Sequence, residues 1–245
     1  MELKFIGRGA AFNPKEGNTS AYFIENDELF LIDCGENVFT RIIERNLFNS
    51  IKTINLLITH THSDHIGSIG SLVLYAFYNQ MQLNIILPEP PEYLKNLEQL
   101  LEIFGCDASK YKLVSSLTYD NKYRSFKSIR FVKTNHKKDL VAYSIIFETN
   151  DGVVYYSGDT NDPSIIISLI KENKLIDKLY IDTTNANFKD NVHLYIGYLK
   201  EIIPENLKKS VYCMHFNNDE CLKEAIMLGF NIAESGGEYE KNSNV

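Results

Sequence analysis

The segment "ITHTHSDHIGS" (58–68) brings His60, His62 and His65 together with Asp64, in a chain that has six histidines among 245 residues. Neutral imidazoles and a carboxylate are the ligands that a zinc-like ion takes. The plain alternative is a helix N-terminus capped by Ser63, with the histidines on a solvated turn. The flanks favour the metal. "INLLITH" is an apolar, β-branched run that reads as a buried strand, and "DHIGSIGSLVLYAF" opens a helix. The cluster therefore lies in a strand-to-helix loop, where side chains can converge. Gly67, Ser68 and Gly70 follow at once and allow close approach to the start of that helix.

The other chemistry-bearing residues repeat this placement. His136 follows "IRFVKTN", His215 follows "SVYCM", and Asp159 follows "VVYYSG" in "SGDT". His193 is expected to open a helix after "DTTNANFKDNV". Any one of them alone would more often be a surface or satisfied core residue. Together all six histidines fall at a strand end or a helix start, which is not a chance pattern.

These residues need a frame. The first half reads as strands "ELKFIG", "SAYFIEN" and "ELFLIDCG", with an Asn26-Asp27 turn joining the second and third. A helix over "ENVFTRIIERNLF" follows, then the strand into the histidine cluster and a long apolar helix to about Met81. Strand "LNIILP" and a helix after Pro90-Pro91 close this half. The second half reads as a meander near "SIRFVKT", "VAYSIIFET" and "GVVYYSGDT", turning at Asn150-Asp151-Gly152. Helix "PSIIISLIKEN", strand "KLYID", helix "HLYIGYLKEII", strand "SVYCMHF" and a last helix complete it. Two β-rich halves, each ending in helices, predict an α/β fold. Its sheets would pack face to face with helices outside, as a four-layer αββα sandwich in one domain over 1–245.

Composition narrows the class. Hydrophobic residues make up 44% and charged residues 23%, as in a globular chain with a sizeable core. No apolar run reaches membrane-spanning length, and "MELKFIGRGA" lacks signal-peptide anatomy. Cys34, Cys106, Cys213 and Cys221 form no CxxC pair and read as reduced, mostly buried thiols. A cytoplasmic enzyme is expected. A net charge of −7 argues against wrapping a long nucleic acid. A bound metal pair would offset this locally with roughly four positive charges.

The set "HTHSDH", His136, "SGDT" and "MHF" resembles the metallo-β-lactamase fold superfamily, and "LIDCG" looks like its early aspartate turn. The match runs from about Phe5 to His215. Within the superfamily, "GNTSAYF", the "GDT" and the extra histidine before the last ligand are most similar to the phosphodiesterase branch typified by tRNase Z. The resemblance implies two divalent metal ions, zinc foremost with manganese as the alternative. His60, His62 and His136 would hold one, and Asp64, His65 and His215 the other, with Asp159 bridging. Asp64 is counted among the catalytic residues, and His193, at an expected helix start, is the candidate proton donor to the leaving oxygen, the plain alternative being a surface neighbour of a helix N-cap. Asp33 is read as orienting ligands from behind rather than binding metal.

Two departures separate the chain from tRNase Z. The stretch from His136 to Asp159 is filled by two strands and a turn, with no room for the long tRNA-gripping arm. The residues expected after the last ligand and after the extra histidine are replaced by "HFNNDE" and "HLYIGY". The opening "FIGRGAAFNPKEGNTSAYF" and the armless core are instead similar to the anti-Pycsar proteins of phages and their bacterial relatives. That similarity implies hydrolysis of 3′,5′-cyclic nucleotides such as cCMP and cUMP, signals of host immunity, to 5′-monophosphates. The expected partner is thus a small cyclic nucleotide, with no membrane and no long nucleic acid, and base discrimination should be loose. Three readings remain for comparison: a tRNA 3′-processing endonuclease, a non-cleaving nucleotide sponge, and a thioester or lactone hydrolase. A homodimer is also expected, because the helix from about Asp64 to Met81 carries Leu72, Tyr75, Ala76, Phe77 and Tyr78, more aromatic surface than one buried face requires.

Overall fold

Strands β1 (Lys4–Gly7), β2 (Ser20–Glu25), β3 (Glu28–Ile32), β4 (Thr53–Leu57), β5 (Gln82–Leu87) and β6 (Lys112–Ser115) lie side by side in that order. The computed structural model describes residues 1–115, 123–172 and 174–235. A second six-stranded sheet runs from β7 (Ser128–Thr134) through β8 (Ala142–Glu148), β9 (Val153–Tyr156), β10 (Ile176–Asp182) and β11 (Val211–Met214) to β12 (Asn231–Ile232). Each sheet begins antiparallel and ends parallel: β3 to β6 in the first, and β9 to β12 in the second. Parallel neighbours need crossovers, and helices supply them. The carboxyl ends of those strands therefore share an edge, the place where open α/β sheets put their sites.

The α/β sandwich expected from sequence is observed. The middle layer between the sheets is aromatic, with Phe23 stacked on Phe30 at 4.5 Å and Phe147 edge-on to Phe23. Helices α1 (Val38–Glu44), α3 (Ile69–Tyr78) and α4 (Leu94–Ile103) cover the first sheet through Ile42, Leu72, Val73, Leu97 and Leu101. Helices α5 (Ser164–Lys171), α6 (Ile196–Ile202) and α7 (Asp219–Met227) cover the second through Ile166, Leu199 and Cys221. All four cysteines are buried free thiols. Among the described residues no helix is long and apolar enough to cross a membrane. The expected domain, 1–245, includes 116–122, 173 and 236–245, which lie outside the described residues.

Three local expectations change. The helix expected from Asp64 to Met81 is two: α2 (Ser63–Ile66), then α3. Ser68 breaks it, because its hydroxyl donates to the Gly35 carbonyl and its N–H to the Cys34 carbonyl, competing with helical bonding. Helix α1 is shorter than expected, since Asn46 turns into the left-handed region at φ 52°. His193 does not open a helix. It stands in the loop before α6, where Thr184 and Tyr195 form an isolated bridge. In addition, β6 and β12 are strands the sequence reading lacks: β6 has no buried residue to mark an apolar face, and β12 is only two residues long.

Candidate metal centre

Six strand ends converge on one edge of the sandwich: Asp33, His60, His136, Asp159 and His215 stand just past β3, β4, β7, β9 and β11, and Asp182 is the last residue of β10. Two of these positions are backbone-strained. Asp33 has φ 62° and His215 has φ 61°, the left-handed region that non-glycine residues avoid at a cost of order 1 kcal/mol. Glycine is required beside two others. A Cβ on Gly35 would collide with the Asp64 carbonyl, and one on Gly158, itself at φ 59°, would stand 2.7 Å from the Tyr143 carbonyl.

Hydrogen bonds fix which ring nitrogen His60, His65, His136 and His193 present. Asp33 is fully buried and accepts from the Thr59 N–H at 2.8 Å, the Thr59 hydroxyl at 2.7 Å and His65 Nδ1–H at 2.8 Å. Burial pushes its carboxyl up, against these donors. The Thr59 hydroxyl, donating to Asp33, can only accept from His60 Nδ1–H at 3.1 Å. His136 Nδ1–H donates to the Val192 carbonyl at 3.1 Å. The bare Nε2 atoms of His60 and His136 then face His62 Nδ1 at 3.1 and 3.2 Å. Burial, with mutual imidazole repulsion behind it, holds His60 and His62 below the usual histidine range; burial also holds His136 low. His62 Nδ1 could satisfy at most one of these two atoms as a donor, whereas with its own lone pair turned inward the three nitrogens converge on one point. They can share a cation.

The second group is built around carboxylates. His65 Nε2 lies 3.5 Å from Asp64 and 3.3 Å from Asp159, and His215 Nε2 lies at the same two distances from the same residues. Both nitrogens are buried without a hydrogen-bond partner, the pattern that a metal ligand leaves in protein alone. Burial would lower both histidines, but Asp159 with Asp33 holds His65 well above its usual range. Asp159 with Asp182 raises His215 to about 10. Asp64 and Asp159 are both held low by their histidine neighbours against the opposing effect of burial. So much negative charge in a dry pocket calls for positive charge.

All seven ligands read from sequence are therefore brought together. His60, His62, His136 and Asp159 form one group, and Asp64, His65, Asp159 and His215 the other, with ligand atoms of each group within 4.8 Å of one another. Asp159 belongs to both. These groups are suited to binding metal. The Ser63 cap of the plain alternative is not made: His62 stands at the cap position of α2, and no side chain bonds there.

Asp182 was not singled out from sequence. Fully buried, it accepts from His193 Nδ1–H at 2.8 Å and from the Thr160 N–H at 2.9 Å, and its other oxygen faces His215 Nδ1 at 3.4 Å. Burial opposes the effect, yet Asp182 holds His193 above the usual histidine range. The His193 side chain is 26% exposed, and Nδ1 is the nitrogen bound to Asp182. A third group (Asp159, Asp182, His193, His215) is thereby accounted for, because the hydrogen bond to Asp182 occupies His193 Nδ1.

The family model for Anti-Pycsar protein Apyc1 matches residues 1–232. An anti-Pycsar protein Apyc1 of Bacillus phage 010DV004 is 25% identical over 261 residues, covering 94% of this chain and 95% of its own. A ribonuclease Z of Methanococcus aeolicus is 35% identical over 114 residues, but this covers 46% of this chain and 35% of its own length. Among solved structures, the metallo-β-lactamase fold protein YhfI from Bacillus subtilis superposes with a TM-score of 0.68 at 20% identity, covering 96% of each chain. That likeness shows the metallo-β-lactamase fold.

Proposed function

Because the chain belongs to the anti-Pycsar Apyc1 family, we propose that it is a two-metal phosphodiesterase opening 3′,5′-cyclic nucleotides, among them cCMP, cUMP, cAMP and cGMP, to 5′-monophosphates. It would act in the cytoplasm, the host's where a phage encodes it, to blunt immunity that signals through such nucleotides. The observation that carries this reading is the pair of His/Asp groups joined at Asp159, with His193 and Asp182 beside them.

His60, His62 and His136 would hold one ion, and Asp64, His65 and His215 the other, with Asp159 between. Two bound divalent ions, zinc or manganese, would supply Lewis acidity toward phosphate oxygens and would lower the pKa of a bound water. The chain's own residues do the rest. Asp64 and Asp159 keep the pocket anionic enough to favour cations, and Asp33 holds the His65 ring in the orientation that leaves Nε2 free. As the oxygen of a hydroxide (a water that has released a proton to solvent) bonds to phosphorus, the P–O3′ bond breaks, and the departing O3′ takes a proton from His193 Nε2, which solvent then reprotonates. Asp182 keeps that imidazole aimed and favours its protonated form.

The phosphodiester class is tested with bis(p-nitrophenyl) phosphate. Turnover should vanish on removal of metal with a chelator and return with zinc or manganese. Turnover that survives complete chelation contradicts the reading.

The homodimer belongs to the same proposal in amended form. Leu72 and Ala76 are buried in the core, and Tyr75 stacks on Phe48 at 4.8 Å, so these three are not free to pair. Phe77 and Tyr78 remain exposed, and Ile103 and Phe104 at the end of α4 add to the exposed apolar surface. Light scattering at micromolar concentration should give about twice the chain mass, whereas a monomer mass removes this part of the proposal.

A further inference from the structure

Outside the ligands, three carboxamides gather where β10 and β11 end. Asn218 is fixed, since its oxygen accepts from the Cys221 N–H at 2.8 Å and caps α7. Asn217 Nδ2–H donates to Asn185 Oδ1 at 3.2 Å, and the Thr184 hydroxyl reaches Asn217 Oδ1 only at 3.5 Å. A carboxamide has two N–H donors and two acceptor lone pairs. Asn217 thus faces solvent with one donor and most of its acceptor capacity unspent. It stands two residues past His215, and Asn185 three past Asp182. On the same loop as Asn185, Phe188 is 62% exposed. Its carbonyl accepts from the Asn191 N–H, and Asn191 Oδ1 accepts from the His193 N–H at 3.2 Å. The backbone that carries the exposed Phe188 ring and the backbone of His193 are therefore tied through Asn191 within a single short loop.

We infer that Asn185, Asn217 and Phe188 form the subsite for the nucleobase. This rests on the phosphodiesterase reading above and deepens it. The oxygen that leaves phosphorus, O3′, belongs to the same ribose that carries the base. If His193 meets O3′, the ribose lies against the loop 184–195, and the base projects from it over the rim that this loop makes with Asn217. A base needs a flat apolar partner for its face and a paired donor and acceptor for its edge. Phe188 offers the first, and the Asn217 carboxamide, held in place by Asn185, the second.

The test compares cAMP, cGMP, cCMP and cUMP with the 3′,5′-cyclic phosphate of 1-deoxyribose, which has the ring phosphodiester and no base. For Asn217→Ala and Phe188→Ala, KM for the nucleotides should rise about tenfold with kcat little changed, while kcat/KM for the baseless substrate stays within about twofold. Asn217→Asp, which keeps an acceptor and loses the donors, should reorder the preference among the four bases. Equal effects on the baseless substrate and the nucleotides, or no effect on either, overturn the subsite. So does a wild-type protein that opens the baseless ring as efficiently as the nucleotides. A wild-type protein that opens none of the five substrates overturns the phosphodiesterase reading and the subsite with it, and only that outcome reaches both.

Discussion

Asp159→Ala should reduce bound metal from about two equivalents per chain to below about one, and it should be the most damaging single substitution in the chain. The reason is position. Asp159 is the one residue common to both ligand groups, with its two oxygens 3.3 Å from His65 Nε2 and His215 Nε2, and 3.9 Å from His60 Nε2 and His136 Nε2. Any other ligand serves one group. Removing Asp159 also leaves His65 and His215 without their strongest shared counter-charge, so that two buried imidazoles face each other across an apolar side chain. Elemental analysis of unchelated protein, with circular dichroism to verify folding, reads the result. Two equivalents retained in a folded Asp159→Ala protein would show that the ions do not share this carboxylate.

His193→Ala should separate chemistry from metal binding. Turnover is expected to fall by roughly 10²–10⁴, while metal content stays at the wild-type value and KM changes little. The imidazole is oriented by Asp182 and partly open to solvent, and its Nδ1 is committed to that hydrogen bond rather than to an ion. A proton donor of this kind contributes in the transition state and little to the ground state. Loss of metal on His193→Ala would make it a ligand instead and would transfer the donor role elsewhere.

What could be read in the chain and what could not follow from a single physical distinction. Residues of the right type in a local pattern were legible: His60, His62, Asp64 and His65 announce themselves by spacing, and Asp159 and His215 by following apolar strands. The αββα layering was legible for the same reason, since strand and helix periodicities mark its elements. Asp182 had a signal that went unused. "YIDTT" repeats the pattern of "LIDCG", an apolar strand closed by an aspartate, and both aspartates turn out to hold histidines from behind. Features set by distant backbone were not legible. The split between α2 and α3 depends on carbonyls of Cys34 and Gly35, thirty-odd residues away from Ser68. The tautomer of His136 is fixed by the Val192 carbonyl. Nothing in the sequence around His193 shows that it stands in a loop rather than at a helix start, because the Thr184–Tyr195 bridge that shapes this loop joins non-neighbouring residues.

The proposed substrate follows from the family to which the chain belongs and from the two His/Asp groups joined at Asp159. The direct measurement is to incubate the metal-loaded protein with cAMP, cGMP, cCMP, cUMP and a 3′-extended tRNA, and to identify products by mass and by chromatography. The account predicts 5′-monophosphates from several of the cyclic nucleotides and little or no cleavage of the tRNA. Efficient tRNA cleavage with the cyclic nucleotides untouched would contradict it, as would tight retention of the nucleotides without any product.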